Sequence, residues 1–317
     1  GTMKPGGAPG GPPAGGPPGG AGGAAFGDFR QQMNFAGKRL QFLIDEKAAV
    51  LVDAGRGDGG NLYVQSATVP QPPAPPAPPA QPGAAAQPPA AEASPAAFFA
   101  RRVSAWDPKA PKTIPQLTMS IENFNRIARM IQLGEKIKME LELEVEFHKD
   151  DLMGYNTVAE IPGSDLREEV VMLGGHLDSW HGGTGATDNA AGCAVAMEAA
   201  RILIACGLQP RRTVRVALWS GEEQGLIGSR AYVARHFGST ARPASGGAPQ
   251  MELKADHAKI SGYFNLDNGT GKIRGVYCQS NAGVKPIFEE WLKPFGDMGA
   301  SAVTLSNTGG TDHQSFD

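Results

Sequence analysis

Seven side chains able to bind a metal or move a proton stand in five short blocks of this sequence: His176 and Asp178 in GGHLDSW, Asp188 in GGTGATDNAAG, Glu222 and Glu223 in SGEEQG, Asp267 in NLDN, and His313 in GGTDHQSF. The first block follows the apolar run Val170-Val171-Met172-Leu173, which reads as buried core. Titratable groups at the edge of a core cost free energy unless something compensates them, so the block reads as a site. Carboxylates and imidazoles without thiolates are a donor set suited to Zn²⁺, Mn²⁺ or Co²⁺. Cys193, Cys206 and Cys278 have no paired or CxxC spacing, which excludes a disulfide framework and a thiolate zinc site, and they read as small hydrophobes. Asp312, next to His313, is left open between a cap and a partner of a ligand. His148, His236 and His257 match no motif and read as surface or core residues.

The elements that must carry these residues follow from periodicity. EEVVMLGG, TVRVALWSG and KISGYFNL read as strands that end in His176 and Asp178, in Glu222 and Glu223, and in Asp267; the extended SAVTLSNTGG runs into Asp312 and His313. NTVAEIPG and IRGVYCQS add further strands, and helices are expected over 190–205, 226–236 and PIFEEWLKPF. Strands alternating with helices predict an α/β fold, a mainly parallel sheet flanked by helices on both faces, in which ligands gather at the carboxyl ends of the strands. Upstream, KRLQFLIDEKA has helical spacing and AVLVDAG reads as a short buried strand. TIPQLTMS looks extended, and Ser120 is placed to cap a helix carrying Ile121, Phe124, Ile127, Ile131 and Leu133 and ended by Gly134. KIKMELELEVEFH alternates strictly and predicts a half-exposed strand.

Composition sets the outer limits. The 317 residues suffice for about two domains, with residues 1–36 and roughly 66–97 rich in Gly, Pro and Ala and expected to be disordered or extended. A formal net charge of −3 without a basic cluster gives no support for nucleic acid as a partner. No run of about 18 apolar residues predicts a membrane span, and the Gly/Pro start has neither the charged nor the apolar region of a signal peptide.

The blocks GHLDS, GATDNAAG, SGEEQGLIGS, NLDN and GGTDHQSF, in this order over residues 151–317, resemble the dizinc exopeptidases of clan MH, which include bacterial aminopeptidases, carboxypeptidase Q and glutamate carboxypeptidase II. The HLDSW form is most similar to the carboxypeptidase Q branch. The resemblance implies the zinc-peptidase fold and two Zn²⁺ per chain, His176, Asp188 and Asp267 holding one and Asp188, Glu223 and His313 the other. Asp188 then bridges, since two cations about 3.5–4 Å apart need one group to bond both and screen their repulsion. Two dications and three ligand carboxylates leave one positive charge, which a hydroxide matches. Neighbouring side chains at a strand end point to opposite sides, so with Glu223 as ligand Glu222 is the expected general base, taking a proton from the attacking water and passing it to the leaving amine. Asp178 is expected to accept the second ring N–H of His176 and fix its tautomer. His181 stands where the carboxypeptidase Q pattern more often has an acidic residue and reads as a solvated loop residue.

The implied activity is hydrolysis of peptides or dipeptides near a free terminus, with aminopeptidase and carboxypeptidase or dipeptidase action both open, a secreted or periplasmic location, and a homodimer left open. KAAVLVDAGRGDGG and the stretch from TIPQLTMS to LELEV look like a protease-associated domain, a small β-rich lid. The expected division is a lid over 37–149, with the Pro/Ala segment inserted, and a catalytic domain over 150–317. Peptidases of this kind continue beyond the point where this chain stops, so the sequence is read as a fragment, and the segment carrying His313 is expected to lack a neighbour that holds it. Two rival readings are a transferrin receptor-like binding protein, expected to lose ligands, and a glutaminyl cyclase-like transferase, which uses one zinc. The presence of all five ligand positions and of Glu222 disfavours both.

Overall fold

The computed structural model describes residues 22–63, 67–71, 103–146, 148, 150–241 and 250–317. Most of the two low-complexity segments, 1–21 and 72–97, therefore lies outside the described residues. The chain divides into two compact units, one extending to Glu144 and one from Val145 to Asp317.

In the first unit, helix α1 (Gly22–Asp45) precedes strands β1 (Leu51–Ala54) and β2 (Gln116–Met119), which pair in parallel, and helix α2 (Ile121–Gln132) follows directly. Helix α1 opens inside the stretch 1–36 expected to lack structure. The Gly/Pro composition ends near Ala25, and the run after it has no Pro and includes three Gln with Arg, Lys, Leu and Met, which favour helix. A second correction concerns residues 137–147. Among the described residues no strand lies between α2 and residue 156, and Met139, Leu141, Leu143 and Val145 are exposed. Alternation supplies a two-faced segment, but a strand exists only through ladder hydrogen bonds to a neighbour, and none pairs with this one.

The second unit is built on a four-stranded sheet in the order β3 (Thr157–Ile161), β5 (Arg212–Trp219), β4 (Leu166–His176), β8 (Ile260–Asn265). β3 is antiparallel to β5, while β4, β5 and β8 are parallel. Helices α3 (Ala191–Ala205), α4 (Ile227–His236) and α5 (Lys285–Leu292) alternate with the strands. A hairpin of β6 (Gly238–Ala241) and β7 (Gln250–Leu253) follows α4, and β9 (Gly275–Tyr277) and β10 (Ala302–Thr304) pair in parallel around α5.

Both faces of the sheet are covered, which is why its central strands read as nearly continuous apolar runs. Val216 and Leu218 of β5 pack with Cys193 and Ala196 of α3, whereas Ala217 and Trp219 pack on the opposite face with Val170, Met172 and Phe237. Met172, Ala217 and Trp219 are wholly inaccessible to solvent. The pairing register sets His176 opposite Trp219 and Gly174 opposite Asn265, so three parallel strands end on one rim within a few residues of each other.

The segment carrying His313 does have an anchor, contrary to the expectation above. After the single turn Asp312–Ser315, the Phe316 ring stacks on Tyr263 with centroids 4.2 Å apart and lies 6.1 Å from Trp219, while Ser315 Oγ sits 2.8 Å from Ser229 Oγ. An aromatic plug and a hydroxyl pair hold it where a neighbouring strand was expected to be needed.

Candidate metal centre

His176 is the last residue of β4 and is 1% exposed. Its Nδ1 lies 2.9 Å from the main-chain carbonyl of Asp178. A carbonyl only accepts, so Nδ1 carries the proton and Nε2 presents a lone pair. Around Nε2 stand three acidic oxygens: Asp188 Oδ1 at 3.0 Å, Asp267 Oδ1 at 3.5 Å and Glu222 Oε2 at 3.9 Å. A lone pair surrounded by carboxylates lacks a positive partner, which either a second ring proton or a cation supplies.

The expectation for Asp178 is thereby corrected. Its carboxylate is 3.7 Å from the ring, beyond hydrogen-bond distance, and accepts instead from the backbone N–H groups of Glu222 (3.1 Å) and Glu223 (3.3 Å). The main chain of Asp178 fixes the tautomer while its side chain clamps the turn after β5. That turn carries Glu222 and Glu223 past the sheet through Ser220 and Gly221.

Asp188 lies in the glycine-rich loop before α3, with its side chain 65% exposed, so the cluster opens to solvent on that side. Its neighbour Asn189 is buried and ties two elements together: Nδ2 donates to Leu266 O (2.9 Å) and Oδ1 accepts from Gly192 N (3.0 Å). The contact requires glycine at 192, where a Cβ would come 2.1 Å from Leu266 O and 2.3 Å from Asn189 Oδ1. The close approach sets Asp188 and Asp267 side by side.

Two groups of donor atoms within metal-binding distance result: His176, Asp188 and Asp267, and His176, Glu222 and Glu223. The first is the trio the resemblance implied. The second differs from the implied Asp188, Glu223 and His313, because the His313 Nε2 is engaged 2.9 Å from Thr308 O and the ring joins neither group. Glu223 Oε1 is buried with no hydrogen-bond partner, an orphan acceptor that a cation would satisfy.

The protonation equilibria describe the same imbalance. Burial opposes a charged His176 ring, but the carboxylates of Asp178, Asp267 and Glu222 outweigh it and raise the ring to about 11. Burial pushes Glu222 up to about 8 despite His176, and Glu223 up to about 7 with Asp188, Asp178 and Asp267 adding repulsion. For Asp267 burial is overcome by hydrogen bonds from His176 and Thr311 and by the charge of His313, so its carboxyl is held below the usual range. Acidic groups in excess of the cationic ones, in one half-open hollow, fit divalent cations.

The model of Peptidase family M28 matches residues 156–317. The chain belongs to this family. Carboxypeptidase Q of Mus musculus is 33% identical over 210 residues, covering 66% of this chain and 40% of that protein, so the chain spans less than half of that relative's length. Leupeptin-inactivating enzyme 1 of Streptomyces exfoliatus is 34% identical over 172 residues, 54% of this chain and 35% of that one. The solved structure of a peptidase M28 precursor from Shewanella amazonensis SB2B has 25% identity and a TM-score of 0.49, covering 66% of this chain and 43% of its own.

Within this M28 chain, Asn189, Asn265, Thr311 and Asp312 surround the cluster without having been singled out as ligands. Asp312 is fully buried, neither carboxylate oxygen has a hydrogen-bond partner, and burial pushes it up to about 6 against the pull of the Ser229 hydroxyl. Its position beside His313 was the only signal for it. His148, His181 and His257 are exposed, and His236 lies against the Tyr232 ring at 4.4 Å, away from the centre, as expected.

Proposed function

We propose that this chain carries the catalytic apparatus of a zinc-dependent exopeptidase that hydrolyses peptide bonds near a free terminus. The observation that carries the reading is the His176 Nε2 facing three carboxylate oxygens at 3.0–3.9 Å, with the buried orphan Glu223 Oε1 in the neighbouring group. In this reading His176, Asp188 and Asp267 would hold one Zn²⁺, and Glu223 would belong to the second, with Asp188 shared and His313 joining once its Nε2 leaves Thr308 O. Bound zinc supplies Lewis acidity, lowering the pKa of water towards about 7 and polarising a carbonyl. Glu222, buried beside the ligands at the end of β5, is placed to accept a proton from the attacking water and release it to the leaving amine. Asp178 keeps Glu222 and Glu223 in register through their N–H groups. The exposed side of Asp188 is where a peptide enters.

The first unit is read as a protease-associated domain, and export to the periplasm or cell exterior follows from the same resemblance. Among the described residues no helix is long and apolar enough to cross a membrane. A homodimer is the assembly to test, by light scattering of the full-length protein.

The test is an assay of the full-length protein on amino-blocked, carboxy-blocked and free dipeptides, with and without chelator. Hydrolysis that requires one free terminus and stops on chelation supports the reading, and the blocked end that is tolerated assigns aminopeptidase or carboxypeptidase action. Glu222→Gln is expected to keep its metal and lower turnover by a factor of about 100 or more. Two zinc ions per chain separate this reading from the cyclase, with one, and the binding protein, with none.

A further inference from the structure

A directed chain of hydrogen bonds runs through the aromatic core to the rim of the sheet. It begins at Trp219 Nε1, which only donates, and whose partner is Tyr263 Oη at 2.7 Å. The hydroxyl proton of Tyr263 needs an acceptor in this buried setting and goes to Asn265 Oδ1, also at 2.7 Å. That identifies the amide oxygen of Asn265 and makes Nδ2 the donor towards Thr311 Oγ1 at 3.0 Å. The backbone N–H of Asp312 donates to the same Oγ1 at 2.7 Å. Thr311 has then used both lone pairs, and only its hydroxyl proton is left. Asp267 lies two residues beyond Asn265, the residue that Thr311 touches, on the same side of the chain as it leaves β8, and Thr311 is among the groups that hold its carboxyl low. Trp219 and Thr311 are buried, which removes water as a competing partner for either end.

We propose that Thr311 is a positioning residue for the metal centre: its hydroxyl, oriented by the one-way chain from Trp219 through Tyr263 and Asn265, donates to Asp267 and aims that carboxylate at the ion shared with His176. The inference rests on the reading of Asp267 as a ligand. The logic is directional. An amide alone can be turned either way, but the donor-only indole together with the buried Tyr263 proton, which takes Asn265 Oδ1 as its acceptor, sets one orientation for the later links. Because Asp312 donates to the same oxygen, Thr311 also fixes the turn that bears His313 relative to the end of β8.

The test uses the full-length protein stripped of metal and titrated with cobalt(II) alone, read by visible absorption and by competition with a chelator. Thr311→Val keeps the shape and deletes the hydroxyl; it is expected to weaken one ion by about 10- to 100-fold and leave the other near its wild-type affinity. Thr311→Ser restores the hydroxyl and is expected to return the affinity to within a few-fold of wild type. Tyr263→Phe breaks the chain upstream, is expected to weaken the same ion, and serves as the test if Thr311→Val does not fold, unchanged binding then counting against the chain. Wild-type affinity for both ions in Thr311→Val, equal weakening of both, or a Thr311→Ser variant as impaired as Thr311→Val would overturn the proposal. A wild-type protein that takes up no cobalt overturns the ligand reading itself, and the two failures are thus told apart.

Discussion

At the scale of single residues, the centre depends on which atom of a side chain is free. Asp178 was legible as a partner of His176 two positions away, but alternation along the strand does not say whether carbonyl or carboxylate reaches the ring. The carbonyl does, at 2.9 Å, and the carboxylate is left to bind two backbone N–H groups. Asp178→Ala is therefore expected to preserve the His176 tautomer and the metal bound there, while losing two charge-assisted hydrogen bonds worth about 1.5–3 kcal/mol each. Denaturant unfolding with metal analysis checks this, and complete loss of metal at unchanged stability would contradict it. His176 and Asp267 were readable because imidazole and carboxylate are rare at the ends of apolar runs, and Asp188 because its glycine-rich block fits the resemblance that joined the three as ligands. Thr311 and Asn265 were not, because threonine and asparagine are common and their role appears only when residues 46 positions apart meet.

At the scale of elements, periodicity placed β4, β5, β8 and α3 close to their observed bounds, since each buries apolar side chains against the same sheet. It failed at 137–146, where the pattern is present and no partner strand lies among the described residues. Glycines stand among the acidic residues of these blocks, but their structural purpose depends on distances. A Cβ at residue 192 would overlap Leu266 O at 2.1 Å, so Gly192→Ala is expected to push α3 off the end of β8. A loss of roughly 1–3 kcal/mol in folding stability is the usual scale of such overpacking. Weaker metal binding should accompany it, because Asp188 and Asp267 are set by that contact. The denaturation midpoint and zinc content of the variant test both parts.

At the scale of the whole molecule, burying acids without a cation sets a pH dependence whose sign can be worked out. Glu222, Glu223 and Asp312 rise from ordinary values of 4.5, 4.5 and 3.8 to about 8, 7 and 6, so without metal the folded state binds more protons than the unfolded chain. Stability then falls as pH rises through this range. His176 acts with the same sign: its contribution is complete below 6.5 and is lost as pH rises towards its folded value of about 11. Asp178 and Asp267, both lowered, act oppositely and protect the fold only above the range in which they ionise. The metal-free protein is thus expected to melt at lower temperature at pH 8 than at pH 5. Zinc at 100 times its dissociation constant should restore about 2.7 kcal/mol at the higher pH. Thermal melts with and without zinc at the two pH values decide the sign.

The most direct measurement is a crystal structure of the full-length protein grown with zinc, with anomalous scattering recorded at the zinc edge. Two anomalous peaks about 3.5–4 Å apart are predicted, one bonded to His176, Asp188 and Asp267 and the other to Asp188 and Glu223. An absence of peaks there, or zinc bound elsewhere while these side chains point apart, would contradict the account.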